Sequence, residues 1–244
     1  MANPPFNQKD WRAETELKDD PRWRGYDVPP KSNANYGWIL NMVSKLSDNG
    51  IAGFILANGA LSGGGEEYKI RRKLIENNLV EAILVLPRNL FYTTDISVTL
   101  WILNKNKKTQ SKKIGDEKRQ YRERENEILF MDLRQLGEPF EKKYTQFSDD
   151  DIKKVTSTYH QWQTKAIENT AEFCYSASLE EVAKKDFSLV PSKYIEFVNR
   201  DENIDFDEKM QTLKGEFADL LKAEASSKND LLTVFKELGY EIKL

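Results

Sequence analysis

The sequence is poor in two residue types that often carry chemistry: among 244 residues it has one cysteine, Cys174, and one histidine, His160. A single cysteine cannot form an internal disulfide, and this pair cannot build a structural zinc site of Cys and His ligands. A thiol–imidazole nucleophile could only combine Cys174 with His160, whereas a lone cysteine is more often a small buried apolar residue. We therefore expect no metal site and no cysteine nucleophile.

The sequence also lacks a long apolar run and an excess of either charge. No stretch approaches the length of a membrane span, and the first residues lack the pattern of a signal peptide. We therefore expect a cytoplasmic protein without a membrane partner. With 37 basic and 40 acidic residues the net charge is −3, so the whole chain is not an electrostatic DNA clamp. If it acts on DNA, a local patch or a partner must supply much of the phosphate binding.

Apolar periodicity predicts an α/β fold. Residues 1–36 are rich in proline and predict a long irregular segment, although Trp11 and Trp23 argue against a disordered tail. Beyond them, helical patterns alternate with continuous apolar runs, which predict buried strands. This alternation indicates a largely parallel sheet covered on both faces. The runs lie at 51–57, 80–86, 96–103 and 128–133, and the last is predicted to be an edge strand.

Residues 105–127 break this composition, with nine Lys and Arg against five Asp and Glu. Such a segment predicts an exposed basic loop or a flexible insertion. A solvated loop is the favoured interpretation, and a DNA contact is the alternative. On that alternative the chain would be an unrelated nucleic-acid-binding protein, whose nonspecific binding falls with salt.

Residues 148–244 are predicted to be mainly helical, with Ser148 as an N-cap and Ser178 opening a capping box. Near the end, apolar residues recur at alternating steps of four and three, as in a coiled-coil seam that stops at the charged Glu224. An ordinary amphipathic helix is an equally good explanation. A separate short helix is predicted at 231–238, closed by Gly239. The seam residues are Phe206, Met210, Leu213, Phe217 and Leu220.

The most informative motif is Asn3-Pro4-Pro5-Phe6. The exocyclic amino group of adenine is a poor nucleophile because its lone pair is delocalised into the ring. Two hydrogen-bond acceptors, the Asn3 side-chain oxygen and the Pro4 carbonyl, could localise that lone pair toward an attacking methyl group. Phe6 could stack on a base flipped out of the duplex. The alternative is a Pro-Pro turn with Phe6 as an ordinary hydrophobic anchor.

The chain resembles the modification subunit of type I restriction–modification systems, an N6-adenine DNA methyltransferase family. The resemblance rests on the Asn-Pro-Pro-Phe motif and on residues 50–64. It is most specific over 67–105, which contain the Leu-Pro-x-Asn-Leu-Phe-Tyr signature at 86–92. Further matches are Lys-Asp-Phe-Ser-Leu at 185–189 and Pro-Ser-Lys-Tyr at 191–194.

The resemblance implies the later strands of a partial Rossmann-like methyltransferase sheet in 1–147, followed by a helical region at 148–244 as a candidate subunit-docking element. It implies S-adenosylmethionine as methyl donor and adenine in double-stranded DNA as acceptor. Asn3, Pro4, Pro5 and Phe6 would be catalytic, with Phe91, or alternatively Tyr92, stacking on the base. For Phe91 and Tyr92 the alternative is core packing. The implied partners are the specificity subunit, a second modification subunit and the restriction subunit.

One part of the family pattern is not found in this sequence. The family places its Gly-rich cofactor loop upstream of the Asn-Pro-Pro motif, and Gly63-Gly64-Gly65 is not a substitute, since the donor has no phosphate to cradle. We therefore expect no cofactor-binding residues here, and an isolated chain that neither binds the donor usefully nor methylates DNA. We also expect a loosely placed catalytic motif. An unpaired strand edge should promote self-association or be covered by 1–36.

Overall fold

The computed structural model describes residues 1–198 and 205–240, except for the side chains of Ile114 and Glu117. It divides the chain into two compact units, Met1–Phe197 and Val198–Leu244. The first unit is built on a five-stranded sheet flanked by helices. The described part of the second unit is a single long helix.

The elements follow one another in an α/β order. The helices are α1 (Asn35–Lys45), α2 (Gly65–Glu76), α3 (Asp149–Thr164), α4 (Leu179–Lys184) and α5 (Phe206–Glu237). The strands are β1 (Ile51–Ala57), β2 (Val80–Val85), β3 (Val98–Asn104), β4 (Gln110–Ile114), β5 (Glu117–Tyr121), β6 (Glu127–Asp132), β7 (Glu138–Phe140), β8 (Tyr144–Gln146) and β9 (Cys174–Ser178).

The sheet has the order β1-β3-β2-β6-β9, and its strand directions correct the sequence prediction. Only β2 and β6 are parallel neighbours, whereas β3 is antiparallel to both β1 and β2, and β9 is antiparallel to β6. The expectation of a largely parallel sheet was wrong because a strand covered on both faces is equally apolar in either direction. The strand at 128–133 is also not an edge strand, since β6 lies between β2 and β9.

Apolar layers cover both faces of this sheet, as predicted. One cluster packs α1 and α2 against the sheet through residues such as Ile39, Leu74 and Trp101, all fully buried. The second cluster packs Trp162 of α3 against Leu84 on the other face. Burial of these side chains supplies most of the driving force that holds the layers together.

The segment 105–127 is largely exposed, as its composition suggested, but it has regular structure and buried residues at its base. Its middle forms an antiparallel hairpin of β4 and β5, and the chain on either side of the hairpin carries two buried cations. Lys107 is 2% exposed and Arg124 is 1% exposed. The Lys107 ammonium donates hydrogen bonds to the carbonyls of Val80 (3.0 Å) and Glu127 (2.6 Å). The composition of the segment gives the number of charged residues, but it cannot show which of them are buried against a partner.

Arg124 and Lys107 surround a buried carboxylate, Glu81, which is fully inaccessible. Arg124 Nε lies 3.4 Å from Glu81 Oε1, and Gln163 and Tyr159 donate to that same oxygen at 3.0 and 3.2 Å. Burial lowers the pKa of Lys107 to about 8, although Glu81 opposes the shift. The cluster therefore fastens the base of the hairpin to β2 and α3.

The division at 197/198 does not coincide with the boundary after residue 147 that the helical pattern suggested. Residues between these two positions contribute β9 to the sheet, and Trp162 Nε1 donates 2.8 Å to Ser176 Oγ of that strand. The predicted N-cap of α3 is confirmed, with Ser148 in a capping box with Asp151. The capping box of Ser178 with Glu181 is confirmed as well.

Helix α5 corrects another sequence prediction, because the seam and the separate helix at 231–238 belong to one helix of 32 residues. Asp205 caps its start by accepting from the backbone of Asp207 and Glu208. Gly239 closes its end at a φ of +81°, as predicted. None of its residues is buried. Among the described residues, no helix is long and apolar enough to cross a membrane.

Candidate active site

The Asn-Pro-Pro-Phe motif and the turn after β2 face each other across an open cleft of about 300 Å³. That size is at the lower end for small-ligand sites in proteins. The cleft lies beyond the carboxyl end of β1, on the side of the sheet where β2 and β6 also end. Its lining consists of Asn3, Pro4, Pro5, Phe6, Phe91, Thr93 and Thr94.

The backbone on the amino side of the motif is paired with the sheet. The Ala2 N–H donates to the Gly53 carbonyl at 3.0 Å, and the Ile55 N–H donates to the Ala2 carbonyl at 3.3 Å. This short parallel bridge runs along the outer edge of β1. It aims the following residues at the end of the strand, where the cleft opens.

The backbone on the other side of the motif is held by an asparagine clamp, defined here as Asn7, Asn33 and Asn35. The buried side chain of Asn35 accepts from the Asn7 N–H at 3.0 Å and donates to Asn7 Oδ1 at 2.9 Å. Asn33 Nδ2 donates to the same oxygen at 3.3 Å. Asn7 itself has a φ of +51°, which asparagine tolerates better than most residues. The motif is therefore tied at both ends, contrary to the expectation of loose placement.

Sequence reasoning missed this clamp, although one signal was available. Asn33 and Asn35 flank the start of α1, a position where asparagine commonly bonds to backbone. The Asn33 side chain accepts from the Asn35 N–H at 2.9 Å. What the sequence could not show is that a third asparagine, Asn7, 28 residues before Asn35, completes the clamp.

The irregular segment between the motif and α1 is fixed by side chains, as its tryptophans suggested. Trp11 Nε1 donates to the Pro30 carbonyl at 2.8 Å, and Arg12 donates to the Pro29 carbonyl at 2.9 Å. Trp23 is buried, and its Nε1 donates to the Leu17 carbonyl at 2.7 Å. These bonds satisfy backbone groups that no strand or helix pairs.

The groups that the motif offers to a ligand are free of protein partners in the described part of the chain. The Asn3 amide is exposed and makes no hydrogen bond there, and the Pro4 carbonyl accepts none. Phe6 and Phe91 are half-buried, and they pack against the second core cluster, that of Leu84 and Trp162, while lining the cleft. Two hydrogen-bond acceptors and two aromatic rings therefore border one open space.

Phe91 and Tyr92 are placed differently. Phe91 lines the cleft beside Asn3 and also contacts the core, so both of its sequence interpretations describe part of its environment. Tyr92 is 68% exposed, which excludes core packing. It does not line the cleft that holds Asn3, and its ring meets Tyr144 edge to face, with centroids 4.7 Å apart.

The glycine loop at 63–65 is in close contact with the rest of the protein at Gly63 only. A Cβ on Gly63 would lie 1.8 Å from Glu67 Oε2. The Gly63 carbonyl accepts a hydrogen bond of 2.7 Å from Arg71 Nη1. Gly63 packs against the helix that follows it, whereas a Cβ on Gly64 or Gly65 would meet nothing within 4 Å. That the loop is not a nucleotide cradle stays a prediction.

The fold and the cleft together define an α/β protein with a base-sized, aromatic-walled site at the carboxyl ends of its strands. The family described as N-6 DNA Methylase matches residues 1–203, and the chain belongs to that family.

Its relatives include methylase subunits of type I restriction enzymes. The HindI subunit of Haemophilus influenzae is 41% identical over 99% of this chain and 51% of its own length. The MjaIX subunit of Methanocaldococcus jannaschii is 33% identical over 98% of this chain and 42% of its own. The chain thus spans about half the length of these curated relatives.

Solved structures agree with this placement. The methyltransferase subunit of a type I restriction–modification system from Streptococcus thermophilus superposes with a TM-score of 0.67 at 28% identity. The match covers 80% of this chain and 37% of that one. The EcoKI M protein has a TM-score of 0.53 at 18% identity, which shows the shared fold.

Proposed function

We propose that this chain is the later part of the catalytic domain, with its C-terminal helix, of a type I modification subunit. That enzyme would transfer a methyl group from S-adenosylmethionine to N6 of adenine in double-stranded DNA. The observation that carries the proposal is the single cleft in which Asn3, Pro4, Phe6 and Phe91 meet. Family membership and the similarity to type I methylase subunits support it. On this proposal the sheet is the later part of a Rossmann-like methyltransferase sheet.

The proposed roles follow from the groups that the cleft presents. The Asn3 side-chain oxygen and the Pro4 carbonyl would accept the two hydrogens of the adenine amino group and localise its lone pair. Phe6 and Phe91 would hold the base once it has left the duplex, since base–aromatic stacking contributes about 1–3 kcal/mol per base. A base outside the duplex is required because the amino group is paired inside it.

We infer that the main binding site for the methyl donor is not formed by the described residues. Glu67 and Arg71 contact Gly63 of the glycine loop, and the cleft at Asn3 opens to solvent. The donor supplies the methyl group when it is bound, and we assign none of its contacts to the described residues. This chain would contribute the groups that hold and activate adenine.

The proposal is tested by Asn3→Ala in the complete open reading frame that carries these residues, purified with its partner subunits. Methyl transfer to duplex DNA should fall roughly 100-fold or more, the usual cost of losing one aligned hydrogen-bonding group in an active site. Asn3→Asp, which keeps an acceptor oxygen, should retain more activity than Asn3→Ala. DNA binding, measured separately, should persist in both variants. Wild-type transfer rates in Asn3→Ala would overturn the proposal.

We also propose that α5 docks on the specificity subunit, within an assembly that includes a second modification subunit and the restriction subunit. The observation behind this is an exposed apolar stripe along α5 that is interrupted only at Glu224 and Ser227. The seam of Phe206, Met210, Leu213, Phe217 and Leu220 continues in register through Leu231, Val234 and Leu238. Apolar residues spaced by four and three along one helix are typical of pairing with other helices.

A further inference from the structure

A second cleft adjoins the candidate active site, and the catalytic motif does not line it. It is smaller, about 160 Å³, and shares Phe91, Thr93 and Thr94 with the first cleft. Its other wall comes from a different element, the turn between β7 and β8, through Lys143 and Tyr144. The two clefts are therefore neighbours that both border the turn carrying Phe91.

The β7–β8 hairpin is fastened to that turn by two contacts. The Thr145 N–H donates to the Asn89 carbonyl at 3.0 Å. The rings of Tyr92 and Tyr144 meet edge to face at 4.7 Å, with an interplanar angle of 69°. Aromatic pairs in this arrangement are favourable beyond the area that they bury. These contacts of the hairpin place the backbone of Lys143 at the wall of the second cleft.

Lys143 carries a charge that no described carboxylate neutralises. Its side chain is exposed, its ammonium lies 5.8 Å from the centre of the Tyr144 ring, and no ion pair within 4.0 Å involves it. Asp95 also lines the cleft and Glu141 is two residues away, but neither pairs with Lys143. An unpaired ammonium next to an aromatic ring can bind an anionic group such as a phosphate. The ring can then pack against the sugar or base that carries the anionic group.

We propose that Lys143 binds a backbone phosphate of the target strand next to the extruded nucleotide, while the Tyr92–Tyr144 pair packs against the adjoining sugar. This inference rests on the proposed function, because it takes the first cleft to hold the extruded base. The backbone phosphates that flank that base would lie outside the first cleft, and the second cleft adjoins it. Phosphate contacts of this kind fix register and orientation without reading sequence.

A matched control lies elsewhere in the same unit. Lys113 is an exposed lysine of the β4–β5 hairpin, which connects the end of β3 to the start of β6. The β7–β8 hairpin follows the opposite end of β6. The two hairpins therefore lie at opposite ends of strand β6, and only the β7–β8 hairpin is beside the catalytic motif.

The experiment compares Lys143→Gln, Lys143→Arg and Lys113→Gln in the complete open reading frame with its partner subunits. Duplex-DNA affinity is measured over a range of salt concentrations. Loss of one phosphate contact should reduce the slope of log K against log salt by about 0.9, which is about eightfold in affinity near 0.1 M salt. Lys143→Gln should show this loss, and Lys143→Arg should keep the slope because it keeps the charge. Lys113→Gln should match the wild type.

Each contrary result has a distinct meaning. An unchanged slope in Lys143→Gln overturns the contact, and an equal loss in Lys113→Gln shows only a general effect of charge, which also overturns it. Loss of partner subunits with an unchanged slope would assign Lys143 to an acidic protein surface instead. The slope does not depend on methyl transfer. Failure of the proposed function would appear separately, as wild-type methylation in Asn3→Ala.

Discussion

At the scale of single residues, the buried charges at the base of the β4–β5 hairpin have the largest energetic consequences. Glu81 and Arg124 are both buried, so removing either one would leave the other as an unpaired buried charge and destabilise the fold. Lys107 is different, because both of its hydrogen bonds go to neutral backbone carbonyls. A neutral amine can still donate those bonds, so deprotonation removes the cost of a buried charge without breaking them.

Stability should therefore rise with pH through the titration of Lys107. Burial lowers its pKa to about 8 in the folded chain, from an ordinary value of 10.5. Between these values the unfolded chain holds a proton that the folded chain has released, so raising the pH favours folding, whereas below pH 8 the burial cost is fully present. The free energy of unfolding should gain roughly 1–2 kcal/mol between about pH 8 and about pH 9.5.

Urea denaturation of the wild type and Lys107→Met across that pH range measures this gain. In the methionine variant the free energy of unfolding should no longer rise with pH in this way, because the variant removes the titrating group and keeps much of the apolar stem. Subtracting the two curves cancels the other groups that titrate in the same range. Parallel curves would show that the pKa of Lys107 is not shifted in the folded state.

At the scale of elements, α5 presents its apolar seam as one side of a helix about 48 Å long, at 1.5 Å per residue. The seam is interrupted at Glu224 and Ser227, where the register calls for apolar residues. Polar residues at such positions commonly fix the register and number of partner helices at some cost in stability. The interruption therefore fits a docking surface that selects its partner.

Charges placed on this seam should weaken capture of the specificity subunit. The double variant Leu213→Glu and Leu220→Glu should reduce co-purification strongly, because a docked seam would bury both charges without partners. The control Gln211→Glu and Asn229→Glu adds the same charge to exposed positions away from the seam. It should co-purify normally. Circular dichroism of both double variants checks that neither has lost helix content, so that a loss of capture can be assigned to the seam. Equal capture by both double variants would remove α5 from the interface, and deletion of residues 200–244 checks the whole helix.

The elements also show what could be predicted and what could not. The strand β1 was predicted with its observed bounds, because a continuous apolar run ended by Asn and Gly is a strong local signal. The direction of β3 was not, because burial on both faces leaves no alternation to reveal it. The meeting of Asn3 with Phe91 was expected from the family resemblance, whereas Tyr144 was missed because nothing local links residues 92 and 144.

At the scale of the whole molecule, this chain matches about half of its relatives' length and contains the cleft between Asn3 and Phe91. The 244-residue polypeptide expressed by itself should bind S-adenosylmethionine more weakly than micromolar, since the described residues supply no cradle for it. Isothermal titration measures this directly. A micromolar dissociation constant would show that the cleft beside Asn3 is sufficient for the donor, and the complete open reading frame provides the positive control.

The rate at which the one cysteine is labelled can report local opening at the edge of the sheet. Cys174 begins β9, the outermost strand on that side, and only 2% of its surface is accessible. A thiol-specific reagent can reach it only when the packing around β9 opens, so its labelling rate under native conditions reports that local opening. Because no second thiol competes, one mass increment would follow the fraying of a single strand without any engineered probe.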